Sequence, residues 1–118
     1  MISMETLNRW LAGVPEDEHL EFKEAKQQFD MTKLMRYCAA LANEGGGFLV
    51  FGVSDKPPRR VVGTQSYQNI GDIKGKILES LRFRVEITEL GHPDGRVLVF
   101  EIPRARWEHH LHTKGLIG

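Results

Sequence analysis

Residues 30–55, DMTKLMRYCAALANEGGGFLVFGVSD, limit the fold of this chain more than any other stretch. Leu34, Tyr37, Cys38, Leu41 and Ala42 recur at helical spacing, which predicts a helix with one apolar face. Asp30 stands where a cap is needed, because its carboxylate can accept backbone N–H bonds from the first turn. Gly45, Gly46 and Gly47 then stop the helix, where positive φ is required and glycine adopts it without strain. Phe48, Leu49, Val50, Phe51 and Val53 follow as a nearly unbroken apolar run. A strand with no polar face must be covered on both sides, so this run predicts an interior strand. Asp55 stands where the strand leaves the core. The glycines do not read as a phosphate loop. Such loops run strand, glycines, helix; here the order is helix, glycines, strand, without Gly-Lys-Ser or Gly-Lys-Thr.

The rest of the chain is organised around this unit. Residues 4–12 predict a short helix with Leu7, Trp10 and Leu11 on one face, stopped by Gly13 and Pro15. Leu20 and Phe22 alternate with Glu21 and Lys23, which predicts a strand with one polar face. Pro57 and Pro58 make 56–60 a loop, since neither can donate to a sheet. Val61 and Val62 predict a short strand ended by Gly63. Residues 66–81 predict a helix on the spacing of Ile70, Ile73, Ile77, Leu78 and Leu81. Gly71 and Gly75 weaken it by roughly 1 kcal/mol each relative to alanine unless they allow close packing on a sheet. Phe83, Val85 and Ile87 alternate with polar residues as a half-buried strand, and a 91–95 loop joins it to a partner over 97–102. These elements predict an α/β (α+β) two-layer sandwich, a mixed, mostly antiparallel sheet with helices on one face.

Two separated words resemble the Schlafen AlbA-type domain. They are EDEHLEFK (16–23) and the pair ALANEGGG (40–47) with FGVSD (51–55). DNA binding is ascribed to that family, which occurs in bacterial and archaeal proteins labelled transcriptional regulators or helicase-related, and in animal Schlafens. The resemblance implies an Alba-like arrangement over 15–118, preceded by an N-terminal helix over 1–14. Family members usually continue into a further strand ending in an arginine-glycine-serine word. This chain ends at Gly118 before one, so a domain cut from a longer multidomain protein is expected. Any helicase or ATPase activity would then belong to further domains.

Size suits one domain with one modest core. Sixteen basic and sixteen acidic residues balance, so nothing in the total announces a nucleic-acid binder. The distribution is uneven. Residues 1–30 hold seven acids against Arg9, Lys23 and Lys26, leaving nine acids against thirteen bases in the remainder. A basic face must therefore be assembled by the fold. Lys23, Lys26, Arg59, Arg60, Arg104 and Arg106 are the candidate phosphate contacts, because binding needs clustered bases and not a high total. Trp107 could stack on a base or pack at an interface.

Glu16, Glu21 and Asp55 are the candidate acidic site. Gathered carboxylates repel, and a divalent cation relieves the repulsion. Animal Schlafens cleave RNA with two glutamates and an aspartate; by motif position Glu16 and Glu21 match that pair, and Asp55 the third member. The resemblance thus implies an alternative function, a metal-dependent endoribonuclease holding magnesium or manganese on these three residues. No other cofactor is indicated. Solvated strand-end acids, with Glu21 pairing to Lys23, are the plainer reading. His109, His110 and His112 complete no recognisable metal spacing. Cys38, the single cysteine, lies on the apolar helix face and reads as a small core residue. No secretory signal and no apolar run long enough to span a membrane appear, which predicts a soluble cytoplasmic protein, in contact with the nucleoid if it binds DNA. The leading reading is a nucleic-acid-binding module, for DNA or RNA, of a transcriptional regulator or helicase-related protein. A third reading is a homodimerisation module without nucleic-acid binding, since an exposed sheet edge favours closed two-fold pairing.

Overall fold

Asp30 caps the central helix as its chemistry predicts, its carboxylate accepting the Lys33 backbone N–H at 2.9 Å. The computed structural model describes residues 1–13 and 19–105. Within them the order is α1 (Met4–Leu11), β1 (Leu20–Lys23), α2 (Met31–Asn43), β2 (Gly47–Phe51), α3 (Ile70–Leu81), β3 (Glu86–His92) and β4 (Gly95–Ile102). The four strands form one sheet in the order β1-β2-β4-β3. β1 runs parallel to β2, while the β2–β4 and β4–β3 pairs are antiparallel.

The apolar run of β2 is explained by two cores, one on each face of the sheet. Leu49 and Phe51 join Leu98, Phe100 and Ile102 under α2 and α3, which contribute Leu34, Cys38, Leu41, Ile73 and Ile77. Val50 and Val53 join Leu20, Phe22, Val97 and Val99 on the other face, against Leu7 of α1. The helices expected on one face are thus α2 and α3, and α1 seals the opposite side. Trp10 extends that seal by packing on Phe48, ring centroids 5.1 Å apart.

The glycine stop does two jobs. The Gly46 N–H donates to the Leu41 carbonyl at 2.8 Å, the six-to-one bond of a glycine helix end, with φ +96° at Gly46. Gly47 then enters β2 so close to β1 that a Cβ there would lie 2.4 Å from the His19 carbonyl oxygen. Any side chain would push the first two strands apart.

Several boundaries differ from the local reading. α3 begins at Ile70, not at residue 66, with Asn69 as its cap. The polar groups of 64–67 are taken up by tertiary bonds: the Thr64 and Ser66 hydroxyls donate to the Ala25 carbonyl, and the Arg96 guanidinium donates to the Thr64, Ser66 and Tyr67 carbonyls. Gly71 and Gly75 do not pack on the sheet; both are exposed, and a Cβ on Gly75 would meet nothing within 4 Å. The strand expected from Phe83 starts at Glu86, because Arg82 takes a left-handed turn (φ 65°) and the chain must redirect before pairing. β3 continues to His92, which pairs with Gly95, so the expected five-residue loop shrinks to a tight turn at Pro93 and Asp94. The strand expected at Val61 and Val62 is a single bridge between Val61 and Val53.

Candidate nucleic-acid interface

Because β1 and β2 are parallel, their carboxyl ends reach the same edge of the sheet, and this brings Lys23 and Asp55 together. The Asp55 carboxylate accepts the Glu24 backbone N–H at 3.0 Å and so ties the exit of β2 to the exit of β1. Lys23 Nζ lies 3.5 Å from Glu21 and 4.9 Å from the centre of the Tyr37 ring on α2. The Lys23 pKa is held above its ordinary 10.5 chiefly by a hydrogen bond to Tyr37; partial burial opposes this, while Glu21 and Asp55 add to it. Lys23 is therefore a charged ammonium throughout the physiological range.

The loop after β2 supplies the second cluster of cations. The Ser54 hydroxyl is buried and accepts the Arg60 backbone N–H at 3.0 Å, which folds residues 54–60 back on themselves. Arg59 stacks its guanidinium over Phe22, 4.5 Å from the ring centre, and donates to the Ser54 and Asp55 carbonyls. Arg60 is exposed and lines a cleft of about 420 Å³ with Glu24, Asp55, Lys56, Pro57 and Pro58. Lys26 is exposed beside Glu24, at 3.9 Å. Four of the six candidate phosphate contacts, Lys23, Lys26, Arg59 and Arg60, thus belong to the segments that leave β1 and β2. Arg104 does not join them. It follows Ile102, which pairs with Gly47 at the opposite end of β2, about 13 Å away at the usual strand rise of ~3.3 Å per residue. Arg106 lies outside the described residues, as do Trp107, His109, His110 and His112.

Of the three candidate acids, Glu21 and Asp55 both act on Lys23, and Glu16 lies outside the described residues. Among the described residues no group of three or more histidine, cysteine, aspartate or glutamate side chains could hold a metal ion. The two placed carboxylates are already engaged, Glu21 with the Lys23 ammonium and Asp55 with the Glu24 N–H. By themselves they do not fit a divalent-ion site. Cys38 is fully buried, and burial pushes its thiol up to about 12, so it is the core residue its position predicts and not a nucleophile.

Lys33, Arg36 and Lys56 are further cations beyond the six candidate phosphate contacts. The first two stand on the outer face of α2 and, with Tyr37 and Ala40, line a shelf of about 290 Å³. The signal was available, since the spacing that defines the apolar face of α2 also defines its complement. The contact between Tyr37 and Lys23 was not available, because it joins α2 to β1 through the fold.

Residues 16–117 match the family model described as Schlafen, AlbA_2. The chain belongs to this family. The resemblance carried by the 16–23 and 40–55 words is borne out, and so is the α+β fold with a mixed sheet. The AlbA_2 domain is similar to the N-terminal domain of a protein from Nitrosomonas europaea named as RecG-related and, provisionally, as an ATP-dependent DNA helicase. The two share 24% identity at a TM-score of 0.63, over 90% of this chain and 76% of that one. It is also similar to the DIP2311 protein from Corynebacterium diphtheriae, with 20% identity and a TM-score of 0.64, over 84% of this chain but 24% of that protein. At these identities the likeness concerns the fold. No curated protein matches the chain. Among the described residues no helix is long and apolar enough to cross a membrane.

Proposed function

We infer that this AlbA_2 domain is a nucleic-acid-binding module. What supports the reading is that Lys23 ends β1 and that Lys26, Lys56, Arg59 and Arg60 lie on the segments that follow β1 and β2, at one end of the sheet, against Glu21, Glu24 and Asp55. A neutral chain has produced a locally cationic edge, which is what phosphate binding requires. The site belongs to one part of a longer cytoplasmic protein acting at the nucleoid, and the regulatory or helicase-related activity belongs to its other domains. Its test is a titration of labelled DNA duplex and of structured RNA at two salt concentrations. Binding that weakens steeply with salt is expected, because counterion release dominates such contacts. No binding at low salt to either ligand refutes the reading.

A metal-dependent endoribonuclease is the second reading, favoured by the approach of Glu21 and Asp55 to the same lysine. In that reading Glu16 joins Glu21 and Asp55 to hold magnesium or manganese, and Lys23 holds the substrate backbone. The expected result is nicking of structured RNA with either metal, stopped by chelator, and lost in Glu21→Gln with RNA binding retained. RNA left equally intact by wild type and variant, in the full-length protein as well, removes this reading. A third reading, two-fold pairing through a sheet edge, draws on the position of β3 at the end of the strand order, where among the described residues it pairs with β4 alone. Light scattering over a concentration series checks it; a constant monomer mass excludes it.

A further inference from the structure

The outer face of α2 carries two exposed cations, Lys33 and Arg36. Lys33 and Arg36 are exposed, and neither has an ion-pair partner among the described residues. Lys26, by contrast, lies near Glu24, and Lys76 is held by Asp72. Lys33 and Arg36 border one shelf with Tyr37 and Ala40, and Lys23 of β1 lies over the ring of that same Tyr37. Lys23 thus connects the cationic strand ends to α2. The small Ala40 leaves the shelf open, and the two long side chains flank it.

We propose that this face of α2 is a second phosphate-binding surface, on which Lys33 and Arg36 hold the sugar–phosphate backbone of duplex DNA. The proposal rests on the nucleic-acid reading above and adds a surface to it. Charge complementarity selects a polyanion. The aromatic inventory selects a duplex over a single strand. Binders of single strands offer exposed aromatic rings on which bases stack. Here the Tyr37 ring is covered by Lys23 and neighboured by Phe29, with centroids 6.1 Å apart, and Met1 is the only large apolar side chain exposed among the described residues. A duplex presents phosphates outward and needs no such platform.

The test compares the wild-type domain with Lys33→Gln/Arg36→Gln on a short labelled DNA duplex, with affinity measured across a salt series. Lys74→Gln/Arg84→Gln is the control. It removes the same charge from the cavity where α3 meets β3, at the other edge of the sheet. Each phosphate contact contributes about 0.9 to the slope of log K against log salt, so the α2 variant should lose about 2 units of slope while the control keeps the wild-type value. The conservative pair Lys33→Arg/Arg36→Lys should restore the slope. Wild-type binding with an unchanged slope in Lys33→Gln/Arg36→Gln overturns this proposal and leaves the strand-end site standing. A slope lost equally in the control reduces the effect to net charge and also overturns it. Tighter binding of a single strand than of the duplex refutes the choice of ligand. Absence of wild-type binding overturns both this proposal and the reading on which it rests.

Discussion

Replacing Phe51 by alanine should be the most damaging single change in β2, and the two-sided burial of that strand says by how much. Phe51 is fully buried, and its ring meets Phe29 at 4.7 Å, Phe100 at 5.1 Å and Tyr67 at 6.2 Å. Truncating a buried phenylalanine costs about 3–5 kcal/mol, and loss of aromatic pairs places this site near the top of that range, ~4–5 kcal/mol. Phe48 in the same strand is only half-buried and, among the described residues, meets one ring, Trp10, so Phe48→Ala should cost roughly half as much, ~2 kcal/mol. A chain of this length loses about 0.25 kcal/mol of stability per degree near its midpoint. The expected falls in Tm are therefore about 16–20 °C for Phe51→Ala and about 8 °C for Phe48→Ala. Thermal melts followed by circular dichroism, with urea unfolding as a check on two-state behaviour, measure both. Equal falls, or a larger one at Phe48, would refute the assignment of the α2–α3 face as the main core. The consequence also reaches the interface. Tyr67 donates its hydroxyl to the Phe29 carbonyl, and both rings rest on Phe51, so Phe51→Ala should loosen the loop that carries Lys26.

Gly75→Ala should raise stability by roughly 0.5–1 kcal/mol in urea unfolding, since the position is helical, exposed and open. Gly47→Ala should do the reverse and destabilise measurably, because its Cβ would meet backbone and not a movable side chain. Asp30→Ala should cost about 1 kcal/mol through loss of the cap on α2, again read by urea unfolding. Cys38 should resist a thiol reagent at pH 8 in the native protein and react on unfolding in urea; rapid native reaction would contradict its burial. The folded thiol titrates near 12 against 9.0 in the open chain, so the unfolded state gives up its proton first. Stability should therefore fall as pH rises from 9.0 towards 12, and Cys38→Ala should flatten part of that fall.

Much of the fold was legible because it is written in short-range periodicity. The apolar face of α2, its aspartate cap, its glycine stop and the polarless run of β2 each depend on residues within a few positions of one another. So does the alternation that makes β1, with Glu21 and Lys23 on one side. The boundaries that failed involve partners far along the chain. Nothing near residues 66–69 announces that the backbone there will be held by Arg96, or that Ser66 will donate to Ala25, 41 residues away. Nothing near Phe83 announces that the turn out of α3 will consume the first residues of the expected strand.

The candidate interface divides along the same line. Residue type alone marked Lys23, Arg59, Arg60 and Arg104 as equal candidates, since a charge is visible wherever it stands. Only the parallel pairing of β1 with β2 brings Lys23 beside Asp55 and the Arg59–Arg60 loop, and only the antiparallel return of β4 carries Arg104 to the far end of the sheet. Periodicity is a property of neighbours in sequence and survives without a fold. The field at a surface is a sum over charges that the strand order gathers or separates, so tertiary structure decided it.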